Sequence, residues 1–349
     1  MQTVRFEDRP LPKTFIIELT KRCNNRCLYC YAVWGTDVQD IDCGQKPEMS
    51  TEEIKQIISQ LQVEIGAENI GLSGGEPLLR SDLPEILSFI KNLGLNSVVI
   101  TNGTLLTLER AEKTADAGLF EVTLLSFREE VHDRLAGRRG AWDAAWRGMT
   151  NIKKSGGNFV SVFVATKLNY MDLKNTAKLS IALGASGLMY NRINLGSHNI
   201  CHADQLLPTP EMVRQNLDDL EEIGKEFGLP IAASVVIEPC VVDIGKYEQI
   251  QFGWCPLAGE SSYFTIDPTG DIRICNHSPV VLGNIKRDRF IDIYRKHPYV
   301  RSFHDTWPEE CHSCDHQLRE VCCGGCKAAA EQCYGTLDRV DPFVTLSKQ

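Results

Sequence analysis

The stretch Phe15-Ile-Ile-Glu-Leu-Thr-Lys-Arg-Cys23-Asn-Asn-Arg-Cys27-Leu-Tyr-Cys30-Tyr31 decides the fold. An apolar run of strand length, Phe15–Leu19, is followed at once by three cysteines within eight residues, spaced C-x3-C-x2-C. Four thiolates close a tetrahedral metal site, whereas three leave a position where a ligand or substrate binds. Iron–sulfur clusters are held by cysteine thiolates. The spacing therefore predicts a cluster with one iron open to chemistry. A structural zinc site is the alternative, but its usual form is two CxxC pairs. The next cysteine, Cys43, lies past a loop.

Working outward, short apolar runs alternate with amphipathic ones up to about residue 192. Strands are expected at Phe15–Leu19, Ile70–Ser73, Ser97–Thr101, Glu121–Ser126, Val160–Thr166 and Leu188–Ile193, whose composition suits buried parallel strands. Between them, Ser50 and Glu53 form a capping box before Ile54, Ile57, Ile58 and Leu61 at helical spacing. Further helices are expected over Asp82–Lys91, Leu108–Ala117, Ala141–Ser155 and Asp172–Leu183. Six β-α repeats fit an α/β partial TIM barrel, with a doubly wound sheet as the alternative. An acidic helix, Glu211–Phe227, and a strand, Ile231–Ile237, follow. Beyond residue 239 the chain becomes loop-rich and cysteine-rich, so we place a domain boundary there: 1–238 and 239–349. A region too small for its own core is commonly held by metal sites.

Composition limits the function. Of 349 residues, 43% are hydrophobic and 24% charged, as in a globular protein. No apolar run is long enough for a membrane span, and the start, Met1–Asp8, has no apolar signal-peptide core. A net charge of −9 argues against nucleic acid as a partner, because phosphate binding needs clustered Lys and Arg. Fourteen cysteines without an export signal point to metal or redox chemistry in the cytoplasm rather than to disulfides.

The C-x3-C-x2-C run, with Tyr29 before its last cysteine, resembles the signature of the radical S-adenosylmethionine (SAM) superfamily. The resemblance implies a partial (β/α)6 barrel in which Cys23, Cys27 and Cys30 hold a 4Fe–4S cluster and SAM chelates its fourth iron. It also implies reductive cleavage of SAM to a 5′-deoxyadenosyl radical. Ser73-Gly74-Gly75-Glu76-Pro77, after the second strand, matches the family's Gly-Gly-Glu motif, whose backbone meets the SAM amino group. In this reading the glycines admit the ligand, and Glu76 offers an acceptor for its amine. Thr101 and Asn102 close the third strand, and Ser126, Asn169 and Arg192 close the fourth, fifth and sixth. The family places SAM-binding groups at such positions, with Ser126 toward the ribose or carboxylate and Arg192 in a forked pair with the carboxylate. His132, Asp133 and Gly137 resemble a run in relatives that build the molybdenum cofactor and pyrroloquinoline quinone, although His132 reads as a packing residue.

The later cysteines resemble a SPASM extension, a pattern also found in anaerobic sulfatase maturases. Cys255 is followed by 14 residues, Gly270, four residues and Cys275, and then by Cys311-x2-Cys314, Cys322-x3-Cys326 and Cys333. The run Tyr263–Cys275 reads as a hairpin turning at Asp267–Gly270. The pattern departs from the family in having seven residues between Cys314 and Cys322, and in the Cys322-Cys323 doublet, either member of which can be the ligand. By resemblance, Cys255, Cys275 and Cys326 hold one auxiliary 4Fe–4S cluster, with Cys240 a candidate fourth ligand. Cys311, Cys314, Cys322 and Cys333 hold a second. Three clusters and SAM are thus the expected cofactors.

The implied chemistry is hydrogen abstraction followed by oxidative modification of a peptide or small-molecule precursor, the auxiliary clusters taking the electron. A flavodoxin- or ferredoxin-type protein is the expected electron donor. Only about 14 residues precede the first strand, so a separate protein is expected to present a peptide substrate. Two alternatives stand beside this reading. One is a redox-neutral epimerase with Cys201 as hydrogen donor. The other is a non-catalytic iron–sulfur electron carrier, which would have no use for the Gly-Gly-Glu turn.

Overall fold

The structure, a computed structural model, describes residues 9–33, 47–255 and 262–346. Cys43 falls outside the described residues. Eight parallel strands run in sequence order: β1 (Thr14–Glu18), β2 (Asn69–Ser73), β3 (Asn96–Thr101), β4 (Leu119–Thr123), β5 (Phe159–Ala165), β6 (Gly187–Arg192), β7 (Ile231–Ala233) and β8 (Ile250–Phe252). The first six are the expected repeats. The expected strand at 231–237 is shorter, and β8 was not anticipated, because three residues carry too little pattern to read.

The crossovers carry α1 (Thr51–Ile65), α2 (Leu83–Asn92), α3 (Leu108–Lys113), α4 (Glu129–Ala136), α5 (Ala141–Lys154), α6 (Leu173–Ala182), α7 (Ala203–Leu206) and α8 (Pro210–Phe227). In α1 the capping box is present, Gly66 ends the helix in the left-handed region, and Ile54, Ile57, Ile58, Leu61 and Ile65 are buried. Each such side chain contributes roughly 1.5–3 kcal/mol. Helix α3 is shorter than its pattern suggests. Thr114 donates its hydroxyl to the Arg110 carbonyl at 2.8 Å, a local bond that competes with helix propagation.

The C-terminal hairpin forms as expected, with β9 (Tyr263–Ile266) and β10 (Asp271–Arg273) antiparallel, followed by β11 (Val281–Asn284). Its location is the main surprise. Strand β9 pairs parallel with β1, in register Phe15 to Phe264, so the cysteine-rich region extends the barrel's own sheet. The apolar face is shared too: Phe15 and Phe264 both meet Phe290 edge-on, at 4.9 and 5.0 Å between ring centroids. Phe290 begins α9 (Phe290–Lys296), after which come α10 (Pro298–Asp305), α11 (Arg319–Cys322), α12 (Lys327–Tyr334) and α13 (Pro342–Leu346).

Ile16, Ile100, Glu121, Thr123, Val162, Val164, Met189, Asn191 and Ser234, from strands β1 and β3 to β6 and the residue after β7, all line one cavity of about 330 Å³. Only a curved sheet turns one face of so many strands toward one space. The cavity is the lumen of an open barrel, and C-terminal residues close its gap.

Candidate active site

The loop carrying Cys23, Cys27 and Cys30 has no helix or strand of its own, and its backbone is held from three sides. Arg26 and Leu28 donate to the carbonyls of Ala136 and Leu135 at the end of α4, at 3.1 and 2.9 Å. Gly137, at φ +62°, lies so close to the Arg26 carbonyl that any Cβ would collide with it. Asn24 donates to Thr104 at 2.7 Å and accepts from Asn102 at 2.9 Å. On the third side, Asn199 donates to the Tyr29 carbonyl at 2.9 Å. His132, in α4, is buried and accepts from the Leu125 amide at 3.1 Å, which makes it the packing residue expected.

Burial pushes the thiols of this loop up, that of Cys23 to about 11, and Cys30 and Cys23 push Cys27 further. Deprotonating all three needs a strong local positive charge, which a bound metal supplies. The donor set therefore fits a thiolate-held cluster.

The Gly74-Gly75-Glu76 turn packs directly on the cysteine loop. Gly75 and Glu76 donate to the carbonyls of Thr20 and Arg22 at 2.8 and 2.9 Å. A Cβ on Gly74 or Gly75 would strike the same backbone. The glycines thus let the turn lie directly against the backbone of the cysteine loop. Glu76 is fully buried: its carboxylate accepts from Thr101 Oγ1 at 2.7 Å, Leu78 N at 3.1 Å and Asn102 N at 2.9 Å. It ties β2 to β3. Ser73, at the end of β2, is also buried, and its carbonyl accepts from Leu19 at 2.9 Å.

Three other predicted positions have partners within the chain. Ser126 is buried and donates to Asp172 at 2.6 Å. Asn169 spends its side chain on Thr166, Leu125 and Val164. Arg192, 1% exposed, pairs with Asp341 at 2.6 Å and Glu238 at 3.2 Å, bonds the Val236 carbonyl and stacks on Phe343. Its fork is closed to a SAM carboxylate. Arg192 ends β6, whereas Ser126 and Asn169 lie past the ends of β4 and β5, and all three face inward to partners within the chain.

The lumen brings together groups from both ends of the chain. Tyr29 and Tyr31 line it beside Cys255, Cys275 and Cys326. Asn194 donates to Cys326 Sγ at 2.9 Å. Asn276 donates to the Tyr31 hydroxyl at 2.7 Å and accepts from Tyr263 at 2.8 Å, while Tyr31 packs on His277 at 4.1 Å. A single hydrogen bond therefore links the residue after Cys30 to the residue after Cys275. Sequence reading missed Tyr31, Asn194, Asn276, His277 and Glu121. Adjacency to cysteines could have flagged Tyr31, Asn276 and His277, and an acid amid strand residues could have flagged Glu121.

A second cavity, of about 250 Å³, is lined by Cys240, Cys311, Cys314 and Cys322, with Trp307 and Glu238. Cys240 turns away from the lumen, because it follows Glu238-Pro239 on the side facing the 307–319 segment. Cys333, on α12, packs instead against the cluster around Leu125 and Ile193. The doublet divides. Cys322 lines the second cavity. Cys323, the non-glycine residue at φ +50°, donates to the Glu320 carbonyl at 3.0 Å and lies within electrostatic reach of Cys255. Cys201 is exposed in a short turn, donating to the His198 carbonyl at 3.3 Å, and does not line the lumen. Among the described residues no cysteine is in a disulfide, and no three His, Cys, Asp or Glu side chains close around a single ion.

Comparison with known proteins places this arrangement. Residues 17–180 match the model of the radical SAM superfamily, and residues 255–315 match the SPASM iron–sulfur cluster-binding domain. The chain is 28% identical to an AdoMet-dependent heme synthase of Methanosarcina barkeri, over 95% of this chain and 96% of the relative. It is 26% identical to a PqqA peptide cyclase of Granulibacter bethesdensis, over 96% and 88%. Among solved structures, SuiB of Streptococcus suis bound to its precursor peptide SuiA aligns with TM-score 0.73 at 16% identity, covering 97% of this chain and 76% of SuiB. The protein anSMEcpe with bound AdoMet and a peptide aligns with TM-score 0.70 at 16% identity, covering 97% and 95%. The cysteine loop at the mouth of an open parallel barrel, the auxiliary cysteines across its lumen and these matches together make the chain a radical SAM enzyme with a SPASM domain.

Proposed function

We propose that this enzyme oxidatively modifies a peptide whose reacting side chain enters the barrel lumen. The observation that carries the reading is the lumen, which Tyr29 and Tyr31 of the first cysteine loop line together with Cys255, Cys275 and Cys326. When bound, the loop cluster and SAM supply a 5′-deoxyadenosyl radical that removes one substrate hydrogen. Completing a two-electron oxidation then requires loss of one electron and one proton, and the cysteines across the lumen hold an acceptor for the electron. The relatives named for peptides, the PqqA cyclase and SuiB with SuiA, support a peptide substrate. An epimerase needs a thiol facing the substrate, and Cys201 lies outside the lumen.

In this proposal residues 1–238 cleave SAM and residues 239–349 handle the electron. Cys23, Cys27 and Cys30 hold the first cluster. Cys255, Cys275 and Cys326, with Cys323, hold the second, and Cys240, Cys311, Cys314 and Cys322 hold the third. Thr101 and Asn102 position the first loop beside SAM. A flavodoxin- or ferredoxin-type protein delivers electrons, and a separate protein presents the peptide. No helix among the described residues is long and apolar enough to cross a membrane, and we propose a cytoplasmic enzyme.

Anaerobic reconstitution tests the reading. About 12 iron per chain is expected from three 4Fe–4S clusters, and dithionite with SAM is expected to yield 5′-deoxyadenosine. Cys27→Ala should abolish that product. Iron near four per chain, or 5′-deoxyadenosine from the variant, would sink the proposal.

A further inference from the structure

Glu121 stands in the middle of β4, its register partners being Ile100 on β3 and Val160 on β5. Strand alternation buries Phe120 and Val122 and turns Glu121 and Thr123 into the lumen. The wall around it includes Ile16, Ile100, Val162, Val164 and Met189. Glu121 is half-buried at the lumen face, whereas the fully buried acids all have partners: Glu18 has Arg273, Glu76 has Thr101 and two amides, Asp172 has Ser126 and Arg128, Glu221 has the Gln249 amide and Lys225, and Glu238 and Asp341 share Arg192. Among the described residues nothing bonds to the Glu121 carboxyl, and burial alone moves its pKa up, to about 7. The lumen's own cation, Lys327, is occupied by the carbonyls of Phe303, His304 and Thr306.

An unanswered carboxyl in an apolar wall costs stability, and such a cost is kept where a ligand uses the group. We infer that Glu121 receives a protonated amine of the substrate inside the barrel and so selects a cationic side chain over a neutral or acidic one. The inference rests on the lumen being the substrate site proposed above. A group bearing carboxylates at this depth would meet repulsion.

The test uses the full reconstituted chain, saturated with SAM under anaerobic conditions. Calorimetric titration with n-pentylammonium, 1-pentanol and pentanoate reads the preference. The ammonium ion should bind about tenfold more tightly than the alcohol, and pentanoate least. Glu121→Gln should erase that preference, leave alcohol binding unchanged, and raise the ligand-free unfolding midpoint. Equal binding of the three probes, a preference that survives in the variant, or a variant that unfolds more readily than wild type would overturn the inference. The last result would make Glu121 a structural carboxyl. Wild-type 5′-deoxyadenosine formation, read in the same preparation, reports on the proposed reaction separately. An amine preference without that product would leave this inference standing and remove the reaction.

Discussion

The two cysteine regions gather their thiols in opposite ways. Cys23, Cys27 and Cys30 come from one short loop, and the protein's effort goes into holding that loop: α4, the Gly74-Gly75 turn, Asn102 and Asn199 all grip its backbone. The C-terminal thiols come from segments far apart in sequence, and Cys322 and Cys323, though adjacent, face different sites. The first arrangement is organised by hydrogen bonds before any metal arrives. In the function proposed above, bound metal cross-links the segments of the second, so binding free energy there is also folding free energy.

That contrast can be broken in several ways. The largest effect is expected from stripping iron with a chelator. Amides over residues 308–346 should lose most of their hydrogen-exchange protection, while those of β2 to β5 keep theirs. Equal loss in both regions would refute the contrast. Next, Arg192→Ala should destabilise the protein by about 3–5 kcal/mol, because Glu238 and Asp341 are left buried without their cation. Denaturant unfolding measures this, and SAM affinity should be unchanged if this placement holds.

Acid should sharpen the comparison within the barrel. Burial lowers the pKa of His132 to about 4, against an ordinary 6.5. The unfolded chain takes up this proton first, so stability is full above about pH 6.5. It falls by up to about 3 kcal/mol as pH drops toward 4. Unfolding curves of His132→Gln should lack this component. The most local effect is expected at the doublet and is read as iron content, where Cys322→Ala and Cys323→Ala should each remove a different set of about four iron atoms. Cys333→Ala should remove none. Identical spectra for the two doublet variants would show that the neighbours serve one site.

The barrel was legible because its strands are long apolar runs and its helices carry caps; Ser50, Glu53 and Gly66 act as the pattern predicts. The cysteine inventory was legible for the same reason that spacing is. Pairing between distant thiols was not, since nothing in the local sequence tells Cys240 which cavity it faces. Nor does a strand-end polar residue reveal its direction. Ser126, Asn169 and Arg192 look like ligand groups until Asp172, Leu125 and Asp341 are seen to answer them. Glu76 is the sharpest case: the motif was visible, and its use as an internal strut depended on Thr101 and Asn102, some 25 residues on.

The pairing of β1 with β9 has a consequence for synthesis. Strand β1 is made well before β9, so one of its edges waits for residues 263–266. At about 5–20 residues per second that wait is roughly 10–50 s. Throughout it, the nascent chain presents an open row of backbone donors and acceptors on an apolar strand, a template for mispairing. A chain truncated before residue 263 would carry that exposed edge permanently, so aggregation rather than simple loss of the later cysteines should be its first defect.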